Sequence, residues 1–141
     1  MRHHRTVLPL AGYTIQQIDF DPATFQPEDL FWLPYHASLT GWGGKRQAEH
    51  LAGRIAAAYA LREVGEKRLP AIGDQRQPLW PTPWFGSISH CGQRALAVIA
   101  RWASISSAGL PHSWPRSWRA ALSVRRKKQR CCAAACPTRW R

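Results

Sequence analysis

The chain has 141 residues, 45% of them hydrophobic, which is enough for one compact domain or for half of a larger protein. Its longest uninterrupted apolar run, residues 55–61, is far shorter than the roughly 20 residues of a membrane-spanning helix, and a Gly-X-Y repeat is absent. The formal net charge of +12 by itself favours a nucleic acid or an anionic membrane as the partner.

The charge is distributed unevenly along the chain. Residues 1–100 carry ten basic and eight acidic side chains, whereas residues 101–141 carry ten basic and no acidic side chains. The last acidic side chain of the sequence belongs to Asp74. We therefore divide the chain into a nearly neutral body, residues 1–101, and a basic tail, residues 102–141.

The amino terminus has the positive charge of a signal peptide but not its apolar segment. The apolar stretch over residues 7–12 is short and is interrupted by Pro9. We therefore predict no signal peptide and a cytoplasmic protein, in which the four cysteines are free thiols.

The first half of the body predicts one strand and two helices. Tyr13–Phe20 is rich in β-forming residues and predicts a strand. Residues 27–33 begin with a proline and predict a short helix. The Ala-rich residues 45–64 have an apolar stripe at helical spacing and predict the longest helix, which Gly65 ends.

The second half of the body predicts a connection followed by a hairpin. Residues 69–83 are rich in Pro, Gly and Gln and are typical of a connecting segment. Residues 86–90 and 94–100 predict two strands, which the turn at Gly92 joins as a hairpin. The body is therefore predicted to mix one sheet with one long helix.

The long helix carries a candidate anion site. Arg46, His50 and Arg54 are four residues apart, so they share one helix face. Such a cluster can bind a phosphate-rich ligand through charge-assisted hydrogen bonds. The alternative is a solvated helix face that carries a Lys45–Glu49 pair.

Two further segments contain candidate binding residues. Proline restrains the segment that follows Arg76, which suits this arginine for an anion, whereas Trp80 is more typical of a core residue. Ser89 and His90 end the first strand of the hairpin. Because neighbouring strand residues point to opposite faces, these two do not form a hydrolase pair, and we favour phosphate binding near the turn.

Several blocks of the body occur together in one order over residues 8–101. They include EHLAGRIAA at residues 49–57, PAIG at residues 70–73 and GSISHCG at residues 86–92. In these blocks the chain resembles the 4'-phosphopantetheinyl transferases of the larger, two-lobed type.

The resemblance implies an α+β fold, in which residues 1–101 form the N-terminal lobe of a pseudo-twofold enzyme. It also implies transfer of phosphopantetheine from coenzyme A to a carrier-domain serine. The expected partners are the aryl and peptidyl carrier domains of an enterobactin-type synthetase in siderophore biosynthesis. Within such a synthetase complex, the resemblance also allows a peripheral association of the protein with the membrane.

The resemblance also implies which residues bind coenzyme A. By match to the family, three arginines contact its phosphates, and two residues of the hairpin lie at the 3'-phosphate and the pyrophosphate. The arginines are Arg46, Arg54 and Arg76, and the hairpin residues are Ser89 and His90.

The tail departs from the family pattern. Family members continue with two blocks whose carboxylates hold Mg²⁺, but this sequence has no acidic side chain after Asp74. We therefore assign no catalytic or metal-binding residue, and we expect the chain to lack transferase activity. The spacing of Cys131, Cys132 and Cys136 lacks the paired C-x₂-C form of a zinc site.

A shifted reading frame accounts for this departure. When the codons of residues 102–107 are read one base earlier, they permit Val-Gly-Ile-Asp-Ile-Glu, which is the first missing block. We interpret residues 102–141 as an out-of-frame, largely irregular segment. The alternative is a genuine Arg- and Trp-rich arm that binds nucleic acid without sequence preference.

Overall fold

A computed structural model of the chain describes residues 1–101. The interpretation of residues 102–141 as an out-of-frame segment, and the alternative of a nucleic-acid-binding arm, lie outside the described residues. The part of the chain that is described has no helix long and apolar enough to cross a membrane.

One four-stranded antiparallel sheet carries the fold. Its strands are β1 (His3–Leu10), β2 (Tyr13–Phe20), β5 (Trp84–Cys91) and β6 (Arg94–Arg101), in the spatial order β1-β2-β6-β5. A separate two-stranded ribbon is formed by β3 (Ala71–Ile72) and β4 (Pro78–Leu79). The α+β prediction and the β5–β6 hairpin are confirmed.

The long helix of residues 1–101, α1 (Gly44–Glu63), packs on one face of the sheet. Its C-terminus has the hydrogen bonds of a Schellman motif, from the Glu66 amide to the Leu61 carbonyl and from the Gly65 amide to the Arg62 carbonyl. Gly65 adopts a φ of +78°, as its predicted role as the helix stop requires.

Short 3-10 helices link β2 to α1. They cover Pro22–Thr24, Pro27–Trp32 and His36–Leu39. The predicted helix over residues 27–33 is therefore a 3-10 helix. The sequence did not predict β1, whose side chains are almost all exposed and so lack an alternating apolar pattern.

The core lies between α1 and the sheet. Small alanines of α1, including Ala52 and Ala56, meet Ile18 and Phe20 of β2, all of them buried. Trp80 also packs against this cluster, which confirms its interpretation as a core residue. Small side chains at the interface let the helix approach the sheet closely.

The approach is closest where Gly53 of α1 crosses β5. A Cβ atom built on Gly53 would lie 2.7 Å from Cγ2 of Ile88. A side chain at position 53 would therefore force this crossing apart, so glycine sets the close approach of α1 to β5 next to Arg54.

Candidate functional site

The predicted basic face of α1 forms a cluster with aromatic side chains. Nε of Arg54 donates to Nε2 of His50 at 3.4 Å. The guanidinium carbon of Arg46 lies 4.6 Å from the ring centre of Trp42, and this ring is 5.3 Å from that of His50. The basic cluster, as we name it, comprises the side chains of Tyr35, Trp42, Arg46, His50, Arg54 and Arg76.

Arg54 is the most unusual member of the basic cluster. Only 2% of the residue is exposed, and its Nη1 atom is buried without a hydrogen-bond partner among residues 1–101. Its charge lies 5.7 Å from the ring centre of Tyr35, and it has no ion pair with a described carboxylate. Burial lowers the pKa of Arg54, but a guanidinium stays charged in proteins. The site therefore contains a buried cation with an unused donor.

A buried, unpaired charge costs stability, so its presence calls for an explanation. An anionic ligand at Nη1 would satisfy the donor and neutralise the charge in one contact. The arrangement of Arg54 is thus suited to phosphate binding. The alternative of a solvated helix face is wrong for this residue, because Arg54 is buried.

His50 is a neutral member of the basic cluster. Burial, followed by the positive charges of Arg54, His90 and Arg46, lowers the pKa of His50 to about 4. The Tyr35 hydroxyl lies 3.0 Å from His50 Nε2, the atom to which Arg54 donates. The donation from Arg54 makes Nε2 the acceptor nitrogen of His50, so the proton of the neutral ring is on Nδ1.

Trp42 brings two exposed arginines together. The guanidinium carbon of Arg76 lies 5.1 Å from the Trp42 ring centre, near the 4.6 Å contact of Arg46. Arg76 lies in the turn between β3 and β4, where it adopts a φ of +63° and its amide donates to the Gly73 carbonyl. A loop and a helix that are distant in sequence thus present two cations at one aromatic ring.

His90 lies at the border of the basic cluster. Its Nδ1 atom is 3.8 Å from Oε2 of Glu49 on α1, and its side chain is 41% exposed. His90 therefore faces α1 and remains accessible to a ligand. Among residues 1–101, Glu49 is the carboxylate within ion-pair distance of His90.

Ser89 lies on the other face of the sheet. Its neighbour Ile88 contacts Gly53 of α1, and strand alternation directs Ser89 away from the helix. The same alternation separates Ser89 from His90, as the sequence predicts. The structure thus brings Arg46, Arg54, Arg76 and His90 to one side of the sheet and does not bring Ser89 to them. A role of Ser89 at coenzyme A stays a prediction.

Residues 37–100 match the family described as the 4'-phosphopantetheinyl transferase N-terminal domain. The chain is 58% identical over 101 residues to enterobactin synthase component D of Escherichia coli strain K12, an alignment covering 72% of this chain and 49% of that protein. The chain belongs to the 4'-phosphopantetheinyl transferase family.

Other members of the family are also similar. Enterobactin synthase component D of Salmonella typhi is 61% identical over 94 residues, covering 67% of this chain and 40% of that protein. The 4'-phosphopantetheinyl transferase PptT of Mycobacterium tuberculosis is 34% identical over 91 residues, covering 61% of this chain and 40% of that protein. The chain spans about half the length, or less, of these curated relatives.

The Mg²⁺ expected for this transferase family has no suitable site in the described part of the chain. Residues 1–101 contain no group of three His, Cys, Asp or Glu side chains arranged to hold a metal ion. Glu49, the carboxylate nearest to the basic cluster, approaches a histidine rather than a second carboxylate. These residues do not fit Mg²⁺, which prefers several oxygen ligands.

Two aromatic residues of the basic cluster were not predicted from the sequence. Tyr35 lies immediately before a 3-10 helix, and Trp42 lies in the predicted loop before α1. Their contact with the arginines depends on how the segment before α1 folds back over the helix. The position of Trp42, two residues before a basic helix, could have indicated its contact with an arginine, since arginine often stacks on aromatic rings.

Proposed function

We propose that residues 1–101 form the coenzyme A-binding half of a 4'-phosphopantetheinyl transferase. Arg54 supplies a buried donor for one phosphate, and the exposed Arg46, Arg76 and His90 bind the remaining phosphate charge. The observation that carries this proposal is the buried Nη1 atom of Arg54, which has no hydrogen-bond partner in the described part of the chain. A ligand with several phosphate groups matches a site with several cations and one nearby carboxylate.

The reaction proposed for the intact two-lobed enzyme, of which residues 1–101 would be one half, is transfer of phosphopantetheine to a carrier domain. The serine hydroxyl oxygen of the carrier forms a bond to the phosphorus next to the pantetheine arm, and the bond from this phosphorus to the bridging pyrophosphate oxygen breaks. Adenosine 3',5'-bisphosphate leaves with that oxygen, and the serine proton passes to a base. The names of the relatives support an enterobactin-type synthetase as the source of the carrier domains.

In this reaction, the described residues bind and orient the phosphates. The cations of the basic cluster fix the nucleotide end of coenzyme A, so the pantetheine phosphate is held at a defined position. Mg²⁺ would supply neutralisation of the developing charge when it is bound. The described residues do not form its site, and we derive no step through it.

Titration calorimetry with coenzyme A tests the proposed binding. We expect the 141-residue chain to bind coenzyme A. Pantetheine, which has no phosphate, should bind about tenfold more weakly, because hydrogen bonds to charged groups are worth about 1.5–3 kcal/mol. Arg54→Gln should weaken coenzyme A binding. Arg62→Gln, which changes an exposed arginine on the same helix, should not. Equal affinity of the two variants would overturn the proposal.

Transfer is tested separately from binding. We expect the 141-residue polypeptide, incubated with coenzyme A, Mg²⁺ and an apo carrier domain, to leave the carrier unmodified, because it has no acidic side chain after Asp74. Mass spectrometry of the carrier detects the phosphopantetheine group. Its appearance on the carrier serine would contradict the expected inactivity and would leave the binding proposal standing.

A further inference from the structure

His50 is held between two aromatic rings at the centre of the basic cluster. The ring centres of His50 and Tyr35 are 5.8 Å apart at an interplanar angle of 84°, and those of His50 and Trp42 are 5.3 Å apart at 88°. Edge-to-face contacts of this kind favour one orientation of the imidazole ring. The orientation of His50 is therefore fixed by residues on both sides.

The hydrogen bonds of His50 connect this fixed ring to Arg54. Arg54 can only donate, so His50 Nε2 must be an acceptor in their 3.4 Å contact. The Tyr35 hydroxyl lies 3.0 Å from the same atom, so it is a second donor group beside the one lone pair of Nε2, and its oxygen also accepts from Arg54. Burial raises the pKa of Tyr35, which keeps its hydroxyl protonated as this arrangement requires.

The groups around His50 favour its neutral form. Arg46 and Arg54 face it from α1, and His90 adds a positive charge from β5 when protonated. A second cation at position 50 would repel Arg54 and remove its acceptor. A neutral acceptor at this position therefore suits a buried guanidinium better than a charged side chain would.

We propose that His50 is a positioning residue for anion binding, which holds the Nε side of the Arg54 guanidinium and leaves Nη1 as the atom that pairs with a ligand phosphate. Tyr35 and Trp42 keep the imidazole in place. This inference rests on the proposed function, because it assigns His50 a role through Arg54 and no contact with the ligand.

A double-mutant cycle on the full chain tests the role of His50. Affinity for coenzyme A is measured by calorimetry for the unmodified chain, His50→Phe, Arg54→Gln and the double variant. Phenylalanine keeps an aromatic ring between Tyr35 and Trp42 but removes the acceptor. We expect His50→Phe to weaken binding about tenfold, as for the loss of a hydrogen bond to a charged group. In the Arg54→Gln background, the same change should have less than a twofold effect.

A conservative variant distinguishes positioning from general support of the fold. His50→Gln supplies a neutral oxygen acceptor and should restore affinity to within about threefold of the unmodified chain, whereas Tyr35→Phe should weaken binding about threefold. Circular dichroism and thermal unfolding establish that each variant is folded. If His50→Phe does not fold, the affinities of His50→Gln and Tyr35→Phe for coenzyme A are compared instead. Weaker binding by Tyr35→Phe supports the positioning role, and equal affinity would overturn it.

The outcomes separate the two proposals. Normal binding by His50→Phe, or an undiminished effect of this change in the Arg54→Gln background, would overturn the positioning role and leave the proposed function intact. Normal binding by Arg54→Gln would overturn the proposed function and the positioning role together. A binding loss in His50→Phe that vanishes without Arg54 and recovers in His50→Gln supports the inference.

Discussion

Seven of the nine arginines among residues 1–101 fall into two groups that differ in whether they pair with a carboxylate. Away from the basic cluster, four arginines pair with carboxylates at 2.6–3.2 Å: Arg2 with Asp21, Arg5 with Glu63, Arg68 with Glu66 and Arg94 with Asp19. Within the basic cluster, Arg46, Arg54 and Arg76 contact aromatic rings and pair with no described carboxylate.

This difference shows which positive charges of the body are free to bind an anionic ligand. A net charge near +2 over residues 1–100 does not by itself indicate an anion-binding protein. The surface ion pairs contribute little to stability, and in each of them a carboxylate already neutralises the arginine. The arginines of the basic cluster have no such carboxylate partner, so we expect an anionic ligand to bind at this part of α1.

The largest expected effect comes from removing the buried cation. Arg54→Met should weaken coenzyme A binding about 10- to 100-fold, because a charge-assisted hydrogen bond is worth about 1.5–3 kcal/mol. The same change should leave the free energy of unfolding unchanged or raise it by about 1 kcal/mol, since the lost charge is buried and unpaired. Calorimetry and urea unfolding measure the two effects. A stability loss above about 3 kcal/mol would contradict this account of Arg54.

The crossing of α1 and β5 is expected to contribute to the stability of the body. Gly53→Ala should lower the free energy of unfolding by about 1–3 kcal/mol, because the new methyl group would lie 2.7 Å from Cγ2 of Ile88. Gly44→Ala is the matched control, since a Cβ atom there has no neighbour within 4 Å. Urea unfolding compares the two variants, and equal stability would contradict the close packing at Gly53.

Lower pH should destabilise the body through His50. Burial and nearby cations lower the pKa of His50 to about 4 in the folded chain, against an ordinary value of 6.5. Between these two pKa values, His50 is protonated in the unfolded chain but not in the folded chain. The free energy of unfolding therefore decreases as the pH falls below 6.5. Between pH 7 and pH 5, this loss amounts to about 2 kcal/mol.

The pH effect is isolated by comparing the unmodified chain with His50→Phe. Urea unfolding at pH 7 and pH 5 should give about 2 kcal/mol less pH dependence for the variant. An identical pH dependence in both would show that His50 titrates normally and is not the neutral acceptor of Arg54.

The smallest expected effect is at the exposed edge of the basic cluster. Arg76→Gln should weaken coenzyme A binding about two- to fivefold, because an exposed charge interacts in a high dielectric and is screened by salt. Arg68→Gln is the control, since this exposed arginine pairs with Glu66. Calorimetry at low and high salt should show a salt-sensitive loss for Arg76→Gln alone. A comparable loss in both variants would remove the distinction between the two groups of arginines.

Local patterns in the sequence predicted much of the fold. The glycine at position 65 indicated the end of α1, and the turn at Gly92 indicated the β5–β6 hairpin. Strand β1 escaped prediction because most of its residues are exposed on both faces and Pro9 interrupts its apolar residues. A strand without an alternating apolar pattern gives no periodic signal.

The candidate site was predictable only in part. A spacing of four residues placed Arg46, His50 and Arg54 on one face of α1, as observed. The burial of Arg54 depends on tertiary packing, and the contact between Arg76 and Trp42 joins segments far apart in sequence. Helix periodicity reports neither of these. Strand alternation did predict that Ser89 and His90 point to opposite faces.

The most direct test of the account is a crystal structure of the 141-residue chain with coenzyme A. We predict a phosphate oxygen within about 3 Å of the Arg54 Nη1 atom, with Arg46 and Arg76 still at the Trp42 ring. Coenzyme A bound away from α1, with Arg54 Nη1 still lacking an acceptor, would contradict it.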